Sequence, residues 1–334
     1  MTSPPGVSEQ VAPPPAKRSP RWYTHGWNNR LSWELILRII PWVPWFLLVP
    51  LHHVTSLVCF TVMRRERAAV RRNLARVTGK TGWANMRLAY RLFFNFSRFM
   101  VAYTGLKRLD PQELANRVAG REQTDRAVQS LIDEGRGAIM VTMHLGHWDL
   151  ALKLLSRFDV PVHVVMLNED PEEVTRFADE ARAFPNLSVH QMGSSPLLGV
   201  ELMTRLTHGE FVAIQADRPV GQNVIVTEFF GSPAPLPTGP VQLAMATDVP
   251  ILPVYMLFDK GNTYRIHSLP RMHFTRSGRE HSERDLREAM GRITGMMESV
   301  ISRYPDQWFN FFDVWPEPDS YRTAGAGNNG DRRG

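Results

Sequence analysis

Beyond residue 120, short apolar runs alternate with amphipathic stretches. Ala138–Met143, Val162–Leu167, Leu187–Gln191, Phe211–Gln215, Val224–Phe230 and Ile251–Phe258 read as strands. Before, between and after them, Arg126–Gly135, Leu150–Phe158, Pro171–Phe184, Pro196–His208, Gly239–Thr247 and Ser282–Tyr304 read as helices. Strands that alternate with helices of about ten residues predict an α/β domain with a mixed, largely parallel sheet flanked by helices. The run GAIMVTM at 137–143 is apolar without interruption, as a strand buried on both faces requires. No internal repeat is visible.

The first 120 residues follow another pattern. Residues 1–30 are basic and proline-rich, lack apolar periodicity, and read as a disordered arm. Residues 31–63 are strongly apolar and aromatic, and Arg64-Arg65 follow at once. A spanning helix needs about 20 such residues. This stretch has the length, but it also holds three prolines and His52-His53, which are costly in hydrocarbon. It is expected to be a membrane anchor or a re-entrant interfacial helix, with the trailing arginines on the cytoplasmic side. A buried helix pair of a soluble domain is the other reading. The apolar core starts too late for a cleavable signal peptide. Trp83–Tyr103 carries an apolar-aromatic helical face, with arginines at 87, 91 and 98, that suits either a core or a membrane surface. Residues 64–318 then form the main domain, and 319–334 a Gly/Asn/Arg-rich disordered tail.

Composition narrows the partners. The 334 residues carry a net charge of +6 and a pI near 9.7, which suits an anionic membrane, an acidic protein or nucleic acid. The single cysteine, Cys59, excludes an internal disulfide and a cysteine-built zinc site. The arginines cluster beside the apolar segment and no nucleotide-binding motif appears, so no nucleic-acid partner is expected.

The candidate chemistry lies in VTMHLGHWDL at 141–150. His144 falls at the carboxyl end of a predicted strand, where open α/β sheets bind ligands. On a continuous helix, residues five apart point about 140° away from each other. His144 and Asp149 therefore meet only if a turn through Gly146 folds between them. A carboxylate that accepts from one imidazole nitrogen fixes the tautomer and leaves the other nitrogen as a base. Two other readings stand beside this one. His144, His147 and Asp149 supply three ligand types for a metal-dependent hydrolase, though at a spacing unlike the usual zinc motif. A structural histidine at the end of a strand is the third.

His-x4-Asp at a strand end resembles the glycerolipid and lysophospholipid acyltransferase superfamily. The whole segment is most similar to the bacterial late lipid A acyltransferases, with Asp149 where their acid is usually Glu and His147 where Asn is common. Four further blocks carry the resemblance: Ala216-Asp217-Arg218, Phe229 to Pro240, Val249 to Val254, and Tyr304-Pro305-Asp306-Gln307-Trp308. So does the basic run at 64–74. The resemblance implies a membrane-associated enzyme of lipid biosynthesis. It would move a fatty acyl chain from acyl carrier protein or acyl-CoA to a hydroxyl of a glycolipid or lipid A-like acceptor, without metal or bound cofactor. Another acceptor lipid (a phospholipid, mannoside lipid or amino-acid lipid) is the alternative. Carried over, His144 is the base and Asp149 orients it. Asp217 and Arg218 sit at the substrate site, Gly231 and Gly239 bound a loop beside the pocket, and Arg182 contacts phosphate. The site would face the cytoplasm from the inner membrane.

Overall fold

The computed structural model describes residues 43–316, except 44, 168–181, 194, 220–222, 276–277 and 279–281. The predicted arm, the tail, the first part of the apolar segment and most of the helix at 171–184 lie outside the described residues.

Three helices open the chain: α1 (Trp45–Val62), α2 (Arg64–Thr78) and α3 (Gly82–Gly105). Next come α4 (Pro111–Asn116), β1 (Val118–Ala119), α5 (Arg121–Asp133), β2 (Ala138–Thr142), α6 (Trp148–Leu155), β3 (Val162–Met166) and β4 (Leu187–Gln191). The second half holds α7 (Leu198–Thr207), β5 (Phe211–Gln215), β6 (Val224–Phe229), β7 (Ser232–Pro237), α8 (Gly239–Thr247), β8 (Ile251–Phe258), β9 (Tyr264–Ser268) and α9 (Ser282–Arg303). Seven strands form one sheet in the order β1-β9-β8-β2-β5-β3-β4, parallel except for the β8–β9 pair. The mixed, largely parallel sheet is as expected.

Strand periodicity divides the core into two layers. On one face, Ala138 and Met140 of β2, Ala213 of β5 and Val164 of β3 pack with α3, α4, α5 and α6. On the other, Ile139, Val141, Val212 and Ile214 pack with α7, α8 and α9. Successive residues of a strand point to opposite faces, so an unbroken apolar run is what a sheet covered on both sides demands. Each fully buried aliphatic side chain stabilises the fold by about 1.5–3 kcal/mol relative to exposure.

The N-terminal helices refine the sequence reading. Leu88, Leu92, Phe93 and Phe99 of α3 are buried in the core, so the basic-aromatic stretch is a core helix and not a second surface helix. α1 packs one side on α3, where His52 Nδ1 and Ser97 Oγ lie 3.1 Å apart and Phe60 meets Phe93 edge-on. Its other side leaves Phe46, Leu57, Val58 and Val62 exposed. Among the described residues, no single helix is long and apolar enough to cross a membrane. The pair Phe46–Val62 and Arg64–Thr78 passes together by length and composition but bends by 96° at the break.

The predicted Gly231–Gly239 loop is instead mostly strand. β6 and β7 form a separate two-stranded antiparallel ribbon. Pro233, Pro235 and Pro237 recur at every second residue, which puts all three missing N–H groups on one edge of β7 and leaves the other edge to pair.

Candidate active site

The turn at 143–147 is shaped by a close approach. Gly146 sits at φ 66°, and a Cβ there would fall 2.0 Å from the Met256 carbonyl oxygen of β8. Only glycine fits both the left-handed backbone and the space. The C-terminal segment then pins the turn. Gly146 N–H donates to the Gln307 carbonyl at 2.9 Å, Phe309 N–H to the His144 carbonyl at 2.7 Å, and His147 N–H to the Met256 carbonyl at 2.7 Å.

This path takes His144 to Asp217, not to Asp149. Asp217 Oδ1 accepts from the His144 ring Nδ1 at 2.8 Å and from its backbone N–H at 3.0 Å. Trp308 Nε1 and Asn310 Nδ2 donate to Asp217 Oδ2 at 2.9 and 3.1 Å. The carboxylate is fully buried. Burial alone would raise its pKa, but the adjoining His144 ring, Arg218 and the His144 N–H override that and hold it well below the usual carboxylate range. A carboxylate acceptor requires Nδ1 to carry the proton, which leaves Nε2 with the lone pair. Nε2 has no hydrogen bond among the described residues, and the His144 side chain is 16% exposed. Burial, with Arg218 acting the same way, lowers the His144 pKa to about 4 against the pull of Asp217. The ring is therefore neutral, and competent as a base, at physiological pH.

Asp149 is fully buried in the first turn of α6, and its Oδ1 accepts from Arg182 Nε at 2.6 Å. Arg182 is 6% exposed and its guanidinium lies 5.5 Å from the centre of the Tyr103 ring. The expected His144–Asp149 hydrogen bond is thus replaced by two separate pairs, because the Gly146 turn points the histidine away from the start of the helix. Arg182 is committed to Asp149, not extended into solvent. His147 lies between the pairs as the N-cap of α6, its Nδ1 accepting from Leu150 N–H at 3.4 Å.

Arg218 adjoins the dyad without contacting His144 in any described hydrogen bond. Its Nε donates to Asn310 Oδ1 at 2.7 Å, and an Nη to the Phe309 carbonyl at 2.7 Å. Asn310 therefore links Arg218 to Asp217. Gly231 lies in the β6–β7 turn at φ 69°, and Gly239 is the first residue of α8. Neither is among the residues that line the apolar pocket described next. Trp308 closes the block Tyr304–Trp308, so its motif was visible, but nothing local pointed to Asp217. Asn310 and Phe309 carried no signal.

Beside the dyad, a pocket of about 680 Å³, part of it open to solvent, runs between α5, α6 and the sheet. Met140, Ala213, Val164, Val128, Leu152 and Leu155 supply much of its wall. Trp148 also lines it and meets the His144 ring edge-on at 5.3 Å. Among the described residues no three His, Cys, Asp or Glu side chains converge to hold a metal ion.

A neutral histidine oriented by a buried carboxylate at the carboxyl edge of a mostly parallel sheet, next to an apolar pocket, is an arrangement able to accept a proton beside an apolar group. The profile of the bacterial lipid A biosynthesis acyltransferases matches residues 28–316. The chain belongs to that family and is an acyltransferase of lipid biosynthesis. It is similar to the phosphatidylinositol mannoside acyltransferase of Mycolicibacterium smegmatis, 28% identical over 254 residues, or 74% of this chain and 78% of that protein. The enzyme of the same name from Mycobacterium tuberculosis is also 28% identical over 254 residues, covering 74% of this chain and 76% of its own length.

Proposed function

We propose that the protein transfers a fatty acyl chain from a thioester donor, acyl-CoA or acyl carrier protein, to a sugar hydroxyl of a membrane glycolipid. His144 is the base and Asp217 its orienting partner. The observation that carries this reading is the His144 Nδ1–Asp217 Oδ1 contact of 2.8 Å, which leaves Nε2 as the lone-pair nitrogen beside an apolar pocket. The acceptor hydroxyl gives its proton to Nε2 as its oxygen adds to the thioester carbonyl. The imidazolium, stabilised by Asp217, then returns the proton to the departing thiolate. Asp149 and Arg182 hold the start of α6, and with it Trp148, in place.

A mannoside lipid is the favoured acceptor, supported by the names of the relatives above. The exposed apolar side of α1, continued by the exposed Arg64 and Arg65, suits an anionic bilayer surface and would bring the site to its substrate at the cytoplasmic face. Purified protein should acylate a mannoside glycolipid in detergent micelles, and His144→Ala should reduce transfer by about 10²–10⁴-fold. A deletion strain should accumulate a glycolipid short of one acyl chain. Full transfer by His144→Ala would refute the base assignment, and unchanged lipids would refute the acceptor.

A further inference from the structure

Thr142 and Gln215 end the two central strands and are direct partners in the β2–β5 register. Each stands two residues before a member of the dyad, Thr142 before His144 and Gln215 before Asp217. Both line the apolar pocket. Thr142 Oγ1 and Gln215 Nε2 are buried and have no hydrogen-bond partner among the described residues. Two other polar side chains of the wall, Thr124 and Asp125, are already engaged. Thr124 Oγ1 pairs with Ser268 Oγ at 3.0 Å, and Asp125 accepts from Arg121 and Arg157.

Buried polar groups are rarely left without partners, and those that are ask for a ligand or water. A saturated chain alone satisfies neither atom. Gln215 Nε2 can only donate, and a threonine hydroxyl can donate alongside it, so the complementary group is one acceptor oxygen with two lone pairs. Such an oxygen would lie at the catalytic end of the pocket, where an acyl chain begins.

We propose that Thr142 and Gln215 bind the carbonyl oxygen of the acyl donor. This rests on the reading that the pocket takes the donor's chain. As the acceptor oxygen bonds to the carbonyl carbon, the C=O π pair moves onto the oxygen held by these two donors. When it returns, the C–S bond breaks and the thiolate takes the proton from His144. Side-chain donors set in a dry site stabilise that charge without reorganising.

The test compares binding of hexadecanoyl-pantetheine with that of S-hexadecyl-pantetheine, the thioether that lacks only the carbonyl oxygen. Pantetheine is common to both donor types. The wild-type protein should prefer the thioester by about tenfold. Thr142→Val and Gln215→Leu should each shrink that preference about threefold or more and leave thioether affinity unchanged, which also reports an intact fold. Each should lower kcat by about 10–100-fold with a smaller change in KM. Equal affinity of the wild type for the two compounds, or parallel loss of both affinities in the variants, would overturn the assignment of these two residues. Binding of neither compound by the wild type would overturn the donor pocket itself.

Discussion

Two buried aspartates flank the same turn and live in different surroundings. Asp149, five residues after His144, faces the buried guanidinium of Arg182 at 2.6 Å. Asp217, 73 residues away, gathers four donors, two of them from His144. The first carboxylate holds a fixed positive charge in place. The second orients the neutral imidazole that we propose as the base. Proximity in sequence assigned the histidine to the wrong one, because a strand-to-helix turn separates neighbours while parallel pairing joins distant strand ends.

The largest effect that can break this contrast is expected at Asp217. Asp217→Asn should lower kcat by about 10²–10⁴-fold, since an amide neither selects the Nδ1–H tautomer as strongly nor stabilises the imidazolium. Acyl transfer under saturating substrate measures it. Next is Asp149→Leu, which leaves Arg182 buried and without its carboxylate. Removing one partner of a buried pair destabilises by about 3–5 kcal/mol, readable by urea unfolding. Asp149→Leu/Arg182→Met should recover most of that loss. A stable Asp149→Leu protein with abolished kcat would reinstate the sequence reading of Asp149 as the dyad partner.

The pH dependence sharpens the comparison further. Burial lowers the His147 pKa to about 4 from an ordinary value near 6.5. The folded state therefore favours the neutral ring. Its stabilising contribution is complete above pH 6.5 and is lost as pH falls toward 4, when the unfolded chain binds the proton first. The full loss is of order 3 kcal/mol. His147→Asn keeps an N-cap acceptor and should flatten this part of the stability–pH curve; an unchanged slope would move its origin elsewhere. The smallest effect is expected for Trp308→Phe, which removes one of the four donors to Asp217. One charge-assisted hydrogen bond corresponds to about a tenfold loss in kcat/KM.

Much of the fold was readable because its signals are local. β5 and β8 fall at their predicted boundaries as apolar runs buried on both faces, and β4, a half-exposed edge strand, does so as well. β7 was not readable. Its alternating prolines look like a loop, and they work as a strand only because one edge stays unpaired. In the site, His144 stood out through its place after the strand and before Gly146. Asp217 was quoted within a motif, but its role was invisible, because it depends on β2 and β5 lying side by side. Gly231 and Gly239 drew notice as glycines near a motif, and what they show locally is a left-handed turn and a helix start.

By itself the sequence determined the parallel α/β core, the strand-end histidine and the acyltransferase family, all of which follow from periodicity and from motif order along one chain. Only the tertiary structure decided which carboxylate serves the histidine, and that an apolar pocket ends in two unpartnered polar atoms. Those depend on strand order and on a glycine turn wedged against β8, and sequence separation carries no information about which strand ends become neighbours.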